Sequence, residues 1–285
     1  MKIVNVTGAN ISSGGVLLLG GFDGMHIGHC RLLQHAKTFG LPVGVMSIVG
    51  GKGESLFTSK ERELWLSSLG GDFLFEFDFE AIRDLSAKEF LEMLESYFSP
   101  GAYVCGDDFR FGKGAEGDAS FLKENVRVPV FVEELLKVGG EKVSASGIKS
   151  LLAKGDLKSA NALLGKEFFL LGEVEQGRKI GRTIGFPTAN IRYPSGKFPL
   201  KKGVYETRVS VFGKTYRGIT NFGARPTFGD NEVWTETYLL GAEENLYGQT
   251  LCVQFVRFLR EIQKFESADA LKKQLTEDLE NVGKD

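Results

Sequence analysis

The sequence has little cysteine, no long apolar run and almost no net charge, and each shortage excludes a class of protein. Its cysteines, Cys30, Cys105 and Cys252, are scattered without Cys-x-x-Cys spacing, which argues against a disulfide framework or a zinc site. A formal net charge of −2 gives no electrostatic footprint for nucleic acid or an anionic membrane. The apolar run Val16–Leu19 is too short for a signal peptide or a membrane span. We therefore expect a cytoplasmic protein without nucleic-acid or membrane partners, and its oligomeric state stays open.

The chain of 285 residues is long enough for two domains, and its residue pattern changes near Glu167. Before that point, short apolar segments alternate with amphipathic ones, which predicts a doubly wound, Rossmann-like α/β domain with a parallel sheet. After it, period-2 segments broken by glycine and proline predict a small antiparallel β-barrel. An apolar stripe over Ser267–Val282 predicts a terminal helix. We place the domains at residues 1–160 and 161–285.

The predicted elements can be given segment by segment. The strands predicted for the parallel sheet are Val16–Leu19, Val43–Ile48, Phe73–Phe77, Ala102–Cys105 and Val128–Phe131. The helices predicted between them are His29–Thr38, Ser59–Ser68, Ser86–Tyr97 and Ala119–Glu124. The strands predicted for the barrel are Phe168–Val174, Val204–Val211, Thr215–Thr220, Trp234–Leu240 and Thr250–Leu259.

Two histidines, His26 and His29, follow the first of these strands in a glycine-rich turn. Positions three apart share one face of a helix, and the free N–H groups and dipole of a helix N-terminus favour an anion. The turn therefore predicts a site for a nucleotide phosphate, and the alternative is a pair of capping or solvent-facing histidines. His35 has no partner at metal-ligand spacing. The residues predicted to contact the nucleotide here are Gly21, Phe22, Asp23, His26, Gly28 and His29.

A second glycine-spaced segment precedes Pro187-Thr188-Ala189-Asn190. Its glycines let the backbone close on the phosphates of a ligand, and those predicted to contact the phosphates are Gly177, Gly181 and Gly185. Thr188 and Asn190 are two residues apart, so an extended backbone puts a hydroxyl and an amide oxygen on one side. These hard oxygen ligands suit Mg²⁺ that is already bound to nucleotide phosphates. The alternative is a turn whose side chains satisfy only its own backbone.

Three segments in a fixed order, residues 21–29, 106–112 and 185–190, resemble the bacterial bifunctional riboflavin kinase/FMN adenylyltransferase family, also called FAD synthetases. The resemblance extends over nearly the whole chain and is densest in its second half. It implies two reactions that use ATP and magnesium. Riboflavin is phosphorylated to FMN, and FMN is then adenylylated to FAD with release of pyrophosphate.

For the kinase step, the resemblance implies that Glu236 is the residue that accepts the proton of the riboflavin hydroxyl. Period 2 over Trp234–Tyr238 puts the side chain of Glu236 opposite those of Thr235 and Thr237. The alternative is a solvated strand carboxylate. The resemblance also implies flavin contacts, at Asp108, Phe109, Arg110, Arg225 and Arg260.

For the adenylyl step, the resemblance implies that His26 and His29 stabilise the charge that builds on the triphosphate. The phosphate dianion of FMN is already a nucleophile, so this step needs no general base. Further ATP contacts are implied at Ser144, Ser146 and Lys149, where relatives have Ser-Ser-Thr and a final arginine. The alternative for these three residues is an ordinary helix N-cap and a surface lysine.

Two departures from the family pattern keep other functions open. Relatives commonly have a Pro-His-Pro element after the second strand, whereas residues 47–55 contain neither proline nor histidine. Ile262 stands where the family generally has a glutamate, which affects a contact on the flavin side. The alternatives are therefore a riboflavin kinase with a degenerate N-terminal domain, or a non-enzymatic regulator that responds to flavin.

Overall fold

The computed structural model describes residues 2–5, 14–51, 53–177, 185–224 and 232–282. These residues form two units, Met1–Gly147 and Ile148–Asp285. No helix in the described ranges combines the length and the apolar character that a membrane span requires.

The first unit alternates strands and helices. Its strands are β1 (Lys2–Asn5), β2 (Val16–Leu19), β3 (Val43–Val49), β4 (Phe73–Asp78), β5 (Ala102–Gly106), β6 (Arg110–Phe111), β7 (Gly117–Asp118), β8 (Val130–Glu133), β9 (Lys137–Val138) and β10 (Glu141–Lys142). Its helices are α1 (Ile27–Lys37), α2 (Ser59–Ser68), α3 (Phe79–Ile82), α4 (Ala87–Tyr97) and α5 (Ala119–Asn125). The fifth predicted strand starts two residues later than its apolar pattern suggests, at Val130.

The main sheet of this unit has the strand order β1-β4-β3-β2-β5-β8. All neighbours are parallel except β1 and β4. The chain leaves β2 toward β3 and β4 on one side, and β5 and β8 lie on the other side. The strand order thus reverses between β2 and β5, which confirms the doubly wound, Rossmann-like fold and places a ligand crevice at the carboxyl ends of these two strands.

Local sequence explains where two of the helices begin. Thr58 and Glu61 form a reciprocal capping box at the start of α2, in which Thr58 N donates to the Glu61 carboxylate at 2.8 Å. Ser86 and Glu89 form the same arrangement before α4. The apolar face of α4 then packs on the sheet around Phe75.

The second unit is built on one antiparallel sheet. Its strands are β11 (Phe168–Glu173), β12 (Thr188–Arg192), β13 (Gly203–Val211), β14 (Lys214–Ala224), β15 (Val233–Leu239) and β16 (Thr250–Arg260). The order is β11-β16-β13-β14-β15-β12, and a bridge between Glu175 and Asn190 joins the two ends. This closure confirms the small antiparallel barrel. The strand β12 is a sixth strand that the period-2 pattern did not predict, because it has only five residues and follows Pro187.

Helices flank the barrel in sequence. They are α6 (Ala145–Lys154), α7 (Leu157–Leu164) and α8 (Ala268–Asn281), and α8 confirms the predicted terminal helix. Asn161 of α7 donates from Nδ2 to the carbonyl of Phe255 at 2.9 Å, and its Oδ1 accepts from Phe168 N at 2.8 Å. These bonds hold α7 on the barrel, so all of it belongs to the second unit. The boundary predicted at residue 160 divides this helix.

Candidate active sites

The first candidate site begins in the turn between β2 and α1. Phe22 and Met25 have positive φ angles of 41° and 39°, which residues with a Cβ rarely adopt. Both side chains are only 1% exposed, so packing in the core stabilises this strained backbone. The turn ends at His26, the N-cap of α1, whose Nδ1 accepts from His29 N at 3.3 Å.

Three aromatic rings are stacked over the start of α1. The His29 ring lies between Phe22, with a centroid distance of 4.3 Å, and His26, with a centroid distance of 3.7 Å and an interplanar angle of 13°. A Cβ at Gly28 would come within 3.2 Å of the His26 ring, so glycine at this position leaves room for the stack. The structure thus brings both predicted histidines together at the helix N-terminus.

Both imidazoles are neutral near pH 7. Burial, and after it the positive charge of Lys142, lower the pKa of His26 to about 4. Burial also holds the pKa of His29 well below its ordinary value, with smaller effects from His26 and Lys142. The His29 Nδ1 atom is buried and has no hydrogen-bond partner within the described part of the chain. A ligand at this site would therefore meet hydrogen-bonding imidazoles and no imidazolium charge.

Two other predicted ATP contacts hold the turn in place. The Asp23 Oδ1 atom accepts from Leu56 N at 2.8 Å, which ties the turn to the segment before α2. The Gly21 carbonyl accepts from Ile48 N at 3.2 Å, at the end of β3. Through these bonds Asp23 and Gly21 stabilise the turn. Their contact with ATP stays a prediction.

Across the crevice, the loop after β5 presents Asp108. Its Oδ2 forms an ion pair with the Lys142 ammonium on β10. Sequence reasoning missed Lys142, although it directly precedes the Val143-Ser144 segment that the resemblance singled out. The next residue of the loop, Phe109, is 8% exposed and stacks on Phe111 in the core at 5.3 Å. The exposed Arg110 donates to the carbonyl of Phe109 at 2.9 Å.

The three further ATP contacts implied by the resemblance lie on or before α6. Ser144 Oγ accepts from Gly147 N at 3.2 Å and so caps the helix, while Ser146 is exposed. The Lys149 ammonium lies 5.9 Å from the ring centroid of Phe198. The structure therefore gives Ser144 a capping role and directs Lys149 to an aromatic ring in the second unit.

The second candidate site is a row of polar side chains across three strands of the barrel. Asn190 on β12 is directly opposite Glu236 on β15. On the other side of Glu236, Asn221 on β14 is its direct partner. Side chains of directly opposed residues share one face of an antiparallel sheet, with Cβ atoms about 5 Å apart. Glu236 is thus flanked by two amides, and sequence reasoning missed Asn221 because only strand pairing places it here.

The opposite face of β15 points into the barrel. Thr235 and Thr237 are fully buried, and the Thr237 Oγ1 atom lies 2.9 Å from that of Thr220. Glu236 alternates with these threonines and lies on the outer face, as the period-2 pattern predicts. The neighbouring pair Thr188 and Tyr238 lies on this face as well. The predicted metal ligands and the predicted base therefore share one surface.

The glycine-spaced segment approaches this surface closely. A Cβ at Gly177 would lie 2.5 Å from the Asn190 Nδ2 atom, so only glycine allows the backbone to pass here. Gly185 has a φ of +84°, which also favours glycine. Gly181 and Arg225 lie outside the described residues. A groove beside Thr188 and Asn190 is completed by the turn that contains Leu246 and Tyr247.

The donor atoms near Asn190 fit magnesium that a nucleotide brings with it. Asn190 Nδ2 donates to the Thr188 carbonyl at 3.2 Å, and the amide Oδ1 is the atom of this side chain that suits a cation. With the Glu236 carboxylate opposite, the set is hydroxyl, amide and carboxylate oxygen. No group of three or more His, Cys, Asp or Glu that could hold a metal occurs within the described ranges. The residues therefore fit a cation held jointly with phosphates and not a closed protein cage.

Arg260, a predicted flavin contact, binds the terminal helix in this structure. Its Nε donates to Asp278 Oδ1 at 3.0 Å and its second terminal nitrogen donates to Asp278 Oδ2 at 2.7 Å. Ile262 packs over the sheet at Gly223. A Cβ atom added at Gly223 would lie only 2.6 Å from the Ile262 Cδ1 atom. Arg260 thus fastens α8 to β16, and a direct flavin contact stays a prediction.

Two family models match the chain, one for each unit. The model for FAD synthetase matches residues 9–147, and the model for riboflavin kinase matches residues 164–284.

Curated relatives match the chain over nearly its full length. The bifunctional riboflavin kinase/FMN adenylyltransferase of Haemophilus influenzae is 32% identical over 95% of this chain and 94% of its own. The protein of the same name from Escherichia coli K12 is 34% identical over 93% of this chain and 90% of its own. A crystal structure described as a macrolide-efflux protein of Streptococcus pneumoniae has a TM-score of 0.83 and 29% identity, and it covers 97% of this chain and 96% of that one. Both units are therefore present in one chain in these relatives as well.

Proposed function

The chain belongs to the bifunctional riboflavin kinase/FMN adenylyltransferase family, and we propose that it makes FMN from riboflavin and then FAD from FMN. Both reactions consume ATP. We assign phosphorylation to residues 161–285 and adenylyl transfer to residues 1–160. The single observation that supports this assignment most strongly is that each half has its own cluster of polar groups suited to one of the two reactions.

In the kinase step, Glu236 accepts the proton of the riboflavin hydroxyl as that oxygen attacks the γ-phosphorus of ATP. The amides of Asn190 and Asn221 flank the carboxylate through the strand register. Thr188 and Asn190 would hold the magnesium that accompanies ATP. When bound, that ion neutralises charge on the phosphates, while Gly177 lets the backbone close over the site.

In the adenylyl step, a phosphate oxygen of FMN attacks the α-phosphorus of ATP and pyrophosphate leaves. His26 and His29 act as neutral hydrogen-bonding groups at the positive end of the α1 dipole. The remaining ATP contacts that we propose for this step are Gly21, Phe22, Asp23, Gly28, Ser144, Ser146 and Lys149. Those that we propose for the kinase step are Gly177, Gly181 and Gly185. The flavin contacts that we propose are Asp108, Phe109 and Arg110 in the first half of the chain, and Arg225 and Arg260 in the second.

The proposed location is the cytoplasm, where riboflavin and ATP meet. None of the three cysteines forms a disulfide, which agrees with a reducing compartment. The proposed partners are the small-molecule substrates alone.

One assay tests the proposal. Purified protein is incubated with riboflavin, ATP and magnesium, and the products are separated by chromatography. We expect FMN first and FAD later. Formation of FMN without FAD would reassign the chain to a riboflavin kinase with a non-catalytic N-terminal domain, the alternative that the loop of residues 47–55 favours. Retained flavin without any ATP consumption would instead indicate a regulator.

A further inference from the structure

Adenylyl transfer needs positive charge at the triphosphate, and the two histidines do not supply it. Both are neutral near pH 7 because they are buried and stacked on each other. The N-terminus of α1 contributes only about half an elementary charge. Lys149, the cation implied by the resemblance, lies beside the Phe198 ring. Lys149 also belongs to the second unit, so a protein cation of the first unit near the histidine stack is a different residue, additional to the magnesium that accompanies ATP.

The hairpin of β9 and β10 brings such a charge to the crevice. The hairpin is closed by a bond from Val143 N to the Leu136 carbonyl at 3.0 Å. The Leu136 Cβ atom lies 3.8 Å from the position that a Cβ would take at Gly28, so the base of the hairpin touches the start of α1. From β10, Lys142 reaches Asp108, which follows β5 on the other side of the switch point. The ammonium is thus paired with the loop after β5, on a hairpin whose base touches the start of α1.

We propose that Lys142 is the cation that binds the triphosphate during adenylyl transfer, and that Asp108 holds its ammonium in the crevice until the nucleotide arrives. This inference rests on the proposed adenylyl transfer. The effect of Lys142 on both histidines supports it, because its charge lowers the pKa of His26 and of His29. Lys142 transfers no proton. It neutralises charge while the FMN phosphate bonds to the α-phosphorus and the bond to the leaving pyrophosphate breaks, with the electron pair departing on pyrophosphate.

The exposure of the ion pair allows this exchange of partners. The side chains of Lys142 and Asp108 are 44% and 45% exposed. An exposed ion pair contributes little to stability, whereas a buried pair is costly to separate. The ammonium of Lys142 can therefore move from the Asp108 carboxylate to a phosphate at little cost in free energy. Pairing also removes the repulsion that an unpaired Asp108 would exert on an approaching nucleotide.

A matched pair of lysine substitutions tests the inference. Lys137 is directly opposite Lys142 in the hairpin, so Lys137→Ala removes one charge from the same two strands. With FMN and ATP supplied, we expect Lys142→Ala to lower kcat/KM for FAD formation by about 10²–10³-fold, the loss typical of one charge-stabilising group. Lys142→Arg should recover most of the activity, and Lys137→Ala should behave like the unmutated chain. Riboflavin phosphorylation should persist in all three variants, and an unchanged thermal unfolding curve reports that the first unit of each variant folds.

Two results would overturn the inference. If the unmutated chain makes FAD and Lys142→Ala makes it as fast as Lys137→Ala does, Lys142 has no role in the reaction and the inference is overturned. If the unmutated chain makes no FAD from supplied FMN, the proposed adenylyl transfer is overturned and the inference with it.

Discussion

The two candidate sites are built in different ways. The site of the first unit is formed by a contiguous turn, in which the segment from Phe22 to His29 provides the ring stack and the helix N-terminus. The site of the second unit is formed by strand register, which brings together Asn190, Asn221 and Glu236 from three strands. The first therefore depends on local backbone geometry and burial, and the second depends on the pairing of distant segments. Each activity should accordingly be lost separately.

The largest expected effect concerns Glu236, the proposed base of the kinase site. Glu236→Gln keeps the size of the side chain and removes its basicity, so we expect FMN formation to fall by about 10²–10⁴-fold. FAD formation from supplied FMN should persist. Glu206→Gln is the control, because Glu206 is a barrel-strand carboxylate that pairs with Arg257 outside the row. Near-normal riboflavin phosphorylation in Glu236→Gln would show that the carboxylate is not the base.

The corresponding change in the first unit is His29→Ala. It removes the central ring of the stack, and we expect FAD formation from FMN to fall by about 10²–10³-fold while kinase activity persists. His35→Ala is the control on the same helix. The His35 Nδ1 atom lies 2.5 Å from Glu133 Oε1, and His35 is not part of the ring stack. FAD synthesis that does not respond to His29→Ala would remove the histidine stack from the mechanism.

A smaller effect is expected at the proposed magnesium ligands. Asn190→Ala removes an amide oxygen, and we expect the magnesium concentration for half-maximal kinase rate to rise by about 10–100-fold. The adenylyl step should keep its magnesium dependence. Titration of both activities with magnesium measures this directly. An unchanged kinase titration would mean that Asn190 only shapes the backbone around Thr188 and Gly177.

The smallest expected effect is on stability. The unfolded chain binds a proton at His26 near pH 6.5, whereas the folded protein binds it only near pH 4. The unfolded state therefore takes up more protons as the pH falls, and the free energy of unfolding should drop by about 2 kcal/mol between pH 6.5 and pH 5 from this group. His26→Asn keeps an N-cap side chain and should flatten this part of the curve. The free energy of unfolding is measured in urea as a function of pH. If it falls equally steeply with decreasing pH in both proteins, the low pKa of His26 is contradicted.

The sequence predicted best what is local. The strand before the histidine turn, the start of α2 and the end of α4 agree with the structure to the residue, because caps and short apolar runs are properties of a few consecutive positions. The shared face of His26 and His29 also depends only on their spacing. The structure adds that the two rings stack, which follows from burial by Phe22 and from the absence of a side chain at Gly28.

Long-range pairing accounts for what the sequence could not predict. Asn221 lies on β14 and Glu236 on β15, and only the register of these two strands makes them neighbours. Lys142 reaches Asp108 across 34 residues of chain. Arg260 could be identified as a motif residue, but its bonds to Asp278 require the terminal helix to be in place. In each case the contact depends on how the chain folds, so the residues next to it in the sequence do not predict it.

The central claim is that one chain contains two separate active sites, and a mixing experiment tests it most directly. Glu236→Gln and His29→Ala are assayed with riboflavin, ATP and magnesium, first alone and then together. Alone, Glu236→Gln should form almost no product and His29→Ala should accumulate FMN. Mixed, they should make FAD from riboflavin, because FMN released by one protein is the substrate of the other. Failure of the mixture to make FAD, or loss of both activities in either variant, would contradict two independent sites.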